Sequence, residues 1–158
     1  MNFLKFLMLL ALVLWLGGIL FFGAVVAPTV FGVLPTHDLA GKVVTRSLGE
    51  LHLIGIICGF VFLACSMIVA YVTRGSAEPF APRHLAIIAM IILTFVAQNV
   101  VAKKMLQLRD SIGVIDNVPL NDSRRLEFNR LHVWSTRIEG CVLLLGLGVL
   151  YGQSRRLS

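Results

Sequence analysis

Hydrophobic and polar positions alternate in long blocks along this chain. Four apolar runs, at about 3–27, 51–73, 83–103 and 133–153, each approach the roughly 20 residues needed to cross a hydrocarbon core about 30 Å thick. The first run carries one early lysine, Lys5, and is followed by Pro28. It is longer than the roughly 7–15 apolar residues of a signal peptide and lacks a small-residue cleavage pattern, so it reads as a retained span. Pro28 is expected to end it, because the residue before a proline avoids the α region. A link with Gly32, Pro35, His37 and Asp38 comes next.

The second span opens as the polar helix KVVTRSLGELH near Gly41, becomes apolar from Leu53 to Val72 and stops at Arg74 and Gly75. Gly55 and Gly59 form a GxxxG face suited to close helix packing. The segment GSAEPFAP reads as a turn, with Pro82 at the first helical position. The third span runs from about Arg83 to Ala102. Its helix is expected to continue through KKMLQLRDSI, where Met105, Leu108 and Ile112 keep helical spacing, and to break between Gly113 and Leu120. Asn121 or Asp122 is a natural N-cap for the fourth helix. That helix, about 30 residues or roughly 45 Å long, outreaches the bilayer by about 15 Å at its start.

These elements predict an all-α fold: one four-span membrane domain over 1–158, an up-down antiparallel four-helix bundle with helices 3 and 4 overhanging one side. Both termini fall on one side with the Gly75–Pro82 link. Arg74, Arg83, Arg155 and Arg156 flank the membrane closely there and Lys5 precedes the first span, which favours a cytoplasmic placement, although a count of all Lys and Arg favours the opposite side.

Composition agrees. The chain is 58% hydrophobic and 14% charged, against roughly 45–50% and about 25% in soluble domains. The net charge of +6 sits on residues flanking the spans, where it contacts lipid headgroups; the lipid bilayer, and no nucleic acid, is the expected partner. Cys58, Cys65 and Cys141 lie within apolar runs and read as small hydrophobes.

Depth sharpens the picture. Counting about 20 residues back from the terminal side puts His52, Lys103, His132 and Pro28 near the far interface. Arg137, Glu139, Gln98 and Asn99 then share a layer roughly 5–8 Å deeper, with Glu50 and Arg46 just above it. The terminal half of the bundle holds almost no polar side chain. An ionised group inside a span costs at least about 2.5–3.5 kcal/mol and normally faces the bundle interior. His132, Ser135 and Glu139 share one helix face, expected to point inward. Arg137 lies off that face, free to snorkel or to pair with Glu50.

The segments LWLGGILFFGAVVAPTVF and FNRLHVWSTRIE resemble the transmembrane protein 205-like family over essentially the whole chain. The likeness rests on span number and spacing, the APxxF ending at Pro28 and Phe31, and the HxxS pair His132 and Ser135. It implies a four-span membrane fold and carries no settled activity. The family tends to have an asparagine where this chain has Glu139.

Four functions compete. His52 and His132, at one level on diagonal helices, suit haem ligation or, with His37, Asp38, Glu50 and Glu139, a metal site; no HxxxH or CxxC spacing supports it. Transport or proton handling would use Glu139, Arg137, Gln98 and Asn99, but neither an inverted repeat nor a broken helix is present. No catalytic motif appears, which disfavours an enzyme. The leading expectation is an accessory or structural bundle whose polar layer fixes helix register, accompanied by a membrane protein partner or a second copy of the chain. The basic hairpin from Lys103 to Arg130 is a docking candidate for such a partner or for anionic lipid.

Overall fold

The computed structural model describes residues 1–113, 118, 119 and 121–155. It forms four helices and, among the described residues, no strand: α1 (Asn2–Val33), α2 (His37–Arg74), α3 (Pro82–Ile112) and α4 (Ser123–Ser154). They contain 32, 38, 31 and 32 residues, and all are long and apolar enough to cross a membrane. At 1.5 Å per residue they extend roughly 46–57 Å. α2 therefore projects beyond a bilayer as α3 and α4 do.

Two helix boundaries differ from expectation. Pro28 does not end α1. A π-helical turn, Phe22–Val26, precedes it, and the Ala27 N–H donates to the Phe22 carbonyl five residues back. Proline has no N–H and crowds the preceding turn, so the regular ladder must break at this point; the wider turn absorbs the defect and the helix continues. The chain leaves the helix only at Leu34, whose backbone is extended. α2 then begins earlier than Gly41. The Thr36 hydroxyl accepts from the Leu39 N–H at 3.2 Å, which places His37 and Asp38 in the first helical turn, near the positive end of the helix dipole.

The remaining boundaries agree with the sequence. Gly75, at φ 75°, closes α2, and Pro82 opens α3. The Asp122 carboxylate caps α4 by accepting from the Arg124 N–H at 2.8 Å. The expected break from Gly113 to Leu120 falls mostly outside the described residues, as does Arg156. A second π-helical turn, Ala97–Ala102, interrupts α3.

α1 packs on α2 and α4, and α3 packs on the same two helices, so α2 and α4 face each other across the bundle diagonal. Leu12, Trp15, Phe62, Ile87, Met90 and Val142 fill the middle. The GxxxG pair serves a side chain and not a neighbouring backbone: a Cβ on Gly55 would strike the Trp15 indole, and one on Gly59 would meet Ile91 and Trp15.

Lys5, Arg74, Arg83 and Gln153 line one cavity, so the starts of α1 and α3 meet the ends of α2 and α4 at one end of the bundle. That end is not dry, contrary to expectation. Ser66 and His84 are buried there at 2% and 1% exposure. The dry zone is the middle, where Trp15 and Phe62 separate two polar ends.

Candidate functional site at the polar end of the bundle

His52, on α2, is enclosed. Its Nδ1 lies 2.9 Å from Gln98 Oε1 on α3, and Gly49 leaves room for that amide to approach. Its Nε2 lies 2.5 Å from Glu139 Oε1 on α4. A carbonyl oxygen only accepts, so Nδ1 carries a proton. One further proton lies between Nε2 and the carboxyl, giving either imidazole with carboxylic acid or imidazolium with carboxylate. Both arrangements are neutral overall, the condition under which a buried polar pair is least costly.

This triad lines a cavity of about 410 Å³. Phe22, Gly23, Pro28 and Phe31 of α1 form one wall, and His132, Ser135 and Thr136 of α4 form another. Met105, Leu106 and Phe128 add apolar surface. Each π-helical turn contributes two residues, Phe22 with Gly23 and Gln98 with Ala102. Such turns recur where a helix must present groups out of its regular register, often at functional sites.

Arg109, on α3, also lines the cavity and is only 7% exposed. It sits over the Phe128 ring, 5.6 Å from its centroid, and rests against Gly41, where a Cβ would collide with the guanidinium. Its Nε approaches Asp38 Oδ1 at 3.7 Å, too far for a hydrogen bond. Both atoms are buried without a hydrogen-bond partner among the described residues. Asp38 is shared with Lys42 at 2.8 Å. An unpaired donor on a buried cation costs more than an ordinary unsatisfied group, so it calls for an acceptor.

The expected layer is thus divided. Glu139 and Gln98 meet at His52, and His132 and Ser135 line the same cavity, so the α4 face carrying His132, Ser135 and Glu139 does point inward. Pro28 and Phe31 lie on the opposite wall. Four residues of the expected layer do not line the cavity. Glu50 and Arg46 pair with each other at 3.7 Å on the exposed surface of α2. Arg137 is exposed over the Trp134 ring at 5.8 Å and not against Glu50. The Asn99 amide donates to the Phe95 carbonyl at 3.2 Å on its own helix. All four result from rotation: a helix turns about 100° per residue, so neighbours in depth face different ways. His52 has both ring nitrogens engaged by protein, so a metal or haem iron would have to displace Gln98 or Glu139. Among the described residues no group of three His, Cys, Asp or Glu side chains is placed to hold a metal ion.

Arg109 stands outside the expected site residues, and Asp38 was expected there only as a candidate metal ligand. The signal was present: Arg109 lies four residues beyond Met105 on the same face, opposite a glycine in a polar stretch of α2.

Residues 10–113 match the family model DUF4149, a domain of unknown function. The chain belongs to the DUF4149 family. No curated protein and no solved structure matches it. The DUF4149 match holds His52, Gln98, Asp38 and Arg109, whereas Glu139, His132 and Ser135 lie beyond it on α4. With four apolar helices, this DUF4149 protein is an integral, multi-pass membrane protein.

Proposed function

We propose that this DUF4149 protein is an accessory membrane protein that holds an amphipathic small molecule in the cavity at its polar end. The observation carrying the proposal is Arg109, whose buried side chain lines a 410 Å³ space and whose Nε has no hydrogen-bond partner among the described residues. An oxygen-rich head, carboxylate or carbonyl, supplies the missing acceptor. The His52–Glu139–Gln98 group gives a second polar contact that is neutral overall, so it tolerates an uncharged portion of the ligand. The apolar remainder lies against Phe22, Phe31, Leu51 and Met105. Ligand sites commonly take this form, mostly apolar with a few polar groups that fix orientation.

The resemblance to the transmembrane protein 205-like family supports the same place. The residues that carry it, Pro28, Phe31, His132 and Ser135, all line this cavity. In this reading the termini lie in the cytoplasm and the cavity opens near the opposite membrane face.

The test is ligand-dependent thermal stability of the purified chain in nonionic detergent. Dodecanoate should raise the Tm saturably, and dodecyltrimethylammonium should not. Arg109→Met should abolish the dodecanoate shift. Equal shifts from both amphiphiles, or an unchanged dodecanoate shift in Arg109→Met, would count against the proposal.

A further inference from the structure

The cavity that holds Arg109 shares a wall with a second space. Between α2 and α3 a groove of about 1090 Å³ runs along the outside of the bundle. Thr45, His52, Gln98, Ala102 and Leu106 line both spaces, so the wall between them is one side chain thick. Leu106 is 42% exposed although it lines the inner cavity. At the deeper edge of this seam the Gln98 amide meets His52 and lies against Gly49, where a Cβ would come within 3.2 Å of Nε2. Nearer the overhang the seam is bordered by the short side chains of Thr45 and Ala102.

The groove changes character with depth. Its outer rim carries Lys42, Arg46, Glu50 and Lys103. Lys42 is already paired with Asp38, and Arg46 with Glu50, so the rim is not the place for an anionic head. The deeper part is apolar, with Leu53, Ile56, Phe60, Ile91, Ile92 and Phe95. Leu53, Phe60, Ile92 and Phe95 are each more than half exposed. They belong to the apolar spans, so hydrocarbon is what they face.

The two spaces are ordered along α3. Arg109 stands beyond Lys103, on the part of the helix that outreaches the bilayer. Arg109 and Gln98 lie eleven residues apart, about 16 Å. Arg109 and Phe95 lie fourteen apart, about 21 Å, within reach of an extended long acyl chain. A head at Arg109 therefore leaves the tail of the same molecule pointing into the membrane, as an amphiphile is oriented in a leaflet.

We infer, on the strength of the head site at Arg109 proposed above, that the ligand is a long-chain fatty acid drawn from the bilayer, whose tail leaves the cavity through the α2–α3 seam and lies in the lateral groove. Lipid tails are as apolar as the groove lining, so the tail gains or loses little on moving between them. Binding is decided by the head, because the Arg109 Nε has no hydrogen-bond partner among the described residues and a carboxylate supplies a strong acceptor. The ligand enters without crossing water. The wall formed by α4 presents His132, Ser135 and Thr136, which suit a hydrocarbon tail less well.

The experiment is photolabelling of the full chain in nonionic detergent. The probe is octadecanoate with a diazirine at the end of its tail, and the label is mapped by peptide mass spectrometry. Label should fall on Leu53, Ile56 and Phe95. Excess unmodified octadecanoate should reduce it at least fivefold, and Arg109→Met should do the same. Leu53→Trp enlarges a side chain that is 55% exposed and narrows the groove just outside the seam. It should cut the label on Ile56 and Phe95 threefold or more. Competed label on α1 or α4 places the tail elsewhere and overturns the inference. Label that excess octadecanoate does not reduce, or an unchanged pattern in Leu53→Trp, overturns it as well. If dodecanoate gives no Arg109-dependent Tm shift, the head site falls and the tail site with it. A normal dodecanoate shift with tail label outside the α2–α3 groove refutes the tail site alone.

Discussion

The contact between His52 and Glu139 makes a quantitative demand on the fold. Their side chains are 4% and 17% exposed and their closest atoms are 2.5 Å apart. Glu139→Leu leaves Nε2 enclosed without a partner, and His52 then stays neutral; an unsatisfied buried group of this kind costs about 1–3 kcal/mol. His52→Leu strands both the carboxyl and the Gln98 carbonyl, although the carboxyl retains some access to the cavity, so a similar cost of about 2 kcal/mol is expected. The double variant removes the orphans on α2 and α4 and leaves only the Gln98 carbonyl of α3 without its partner. Replacing a buried pair with apolar groups of similar volume is often neutral or stabilising, so it should fall within about 1 kcal/mol of the unsubstituted chain. The coupling energy is then about 3 kcal/mol, at the upper end for residues in contact. Equilibrium unfolding in mixed micelles of mild and denaturing detergent measures it. A coupling below about 0.5 kcal/mol is what independent sites give, and would refute an enclosed, mutually dependent pair. Glu139→Gln is the companion variant. Its amide N–H can donate to Nε2, so it should cost less than Glu139→Leu.

Other outcomes turn on single residues. Arg109→Met should raise the ligand-free stability by about 1 kcal/mol or more, because it removes a poorly paired buried charge while Lys42 still accompanies Asp38; stability gained where binding is lost is the mark of a functional compromise, and a Tm below that of the unsubstituted chain contradicts it. Gly55→Leu should destabilise by about 1–3 kcal/mol through overpacking against Trp15, visible in the same unfolding assay. The Arg74 hydrogen bonds hold the Glu78 carboxyl below its ordinary carboxylate range. A lowered folded-state value means the stabilising contribution is present above the unfolded value and is lost as pH falls through the folded one. The Tm difference between the unsubstituted chain and Glu78→Gln should therefore shrink as pH is taken from neutral to below the usual carboxylate range, and a difference that grows would contradict the pairing.

What could be read from the residues depended on which coordinate was asked for. Depth was partly legible, because helical rise is constant: counting along α3 and α4 puts Gln98 and Glu139 in one layer, as their shared contact with His52 requires, although the same count places His52 itself roughly 5–8 Å above that layer. Rotation was not. In a globular helix the polar stripe reveals the inward face, but here the lipid-facing surface is as apolar as the core, so Leu53 and Phe62 look alike although one is 55% and the other 1% exposed. Only on α4, where His132, Ser135 and Glu139 share one face and Arg137 lies off it, does the spacing of polar residues indicate rotation. The second gap concerns charge. Arg109 looked like part of a solvated overhang, because the rule that charged residues stay in water carries no information about Gly41 and Phe128, which make its burial possible.

The π-helical turns explain why the cavity itself escaped notice. Each widens the helix by a residue, so everything beyond it is rotated by about 100° relative to a regular helix. In α1 the cause is visible, since Pro28 forces a break in the ladder. In α3 the turn Ala97–Ala102 contains no proline or glycine, and nothing in AQNVVA announces it. Yet that turn begins at the level of Gln98, the partner of His52, and precedes Met105 and Arg109, which line the cavity one turn apart. Extrapolating the apolar period of the first part of α3 across this point assigns the wrong face to the remainder of the helix. The two turns also border the same space from opposite sides. A regular helix at either place would turn Phe22 or Gln98 away from the cavity, so these irregularities belong to the construction of the site.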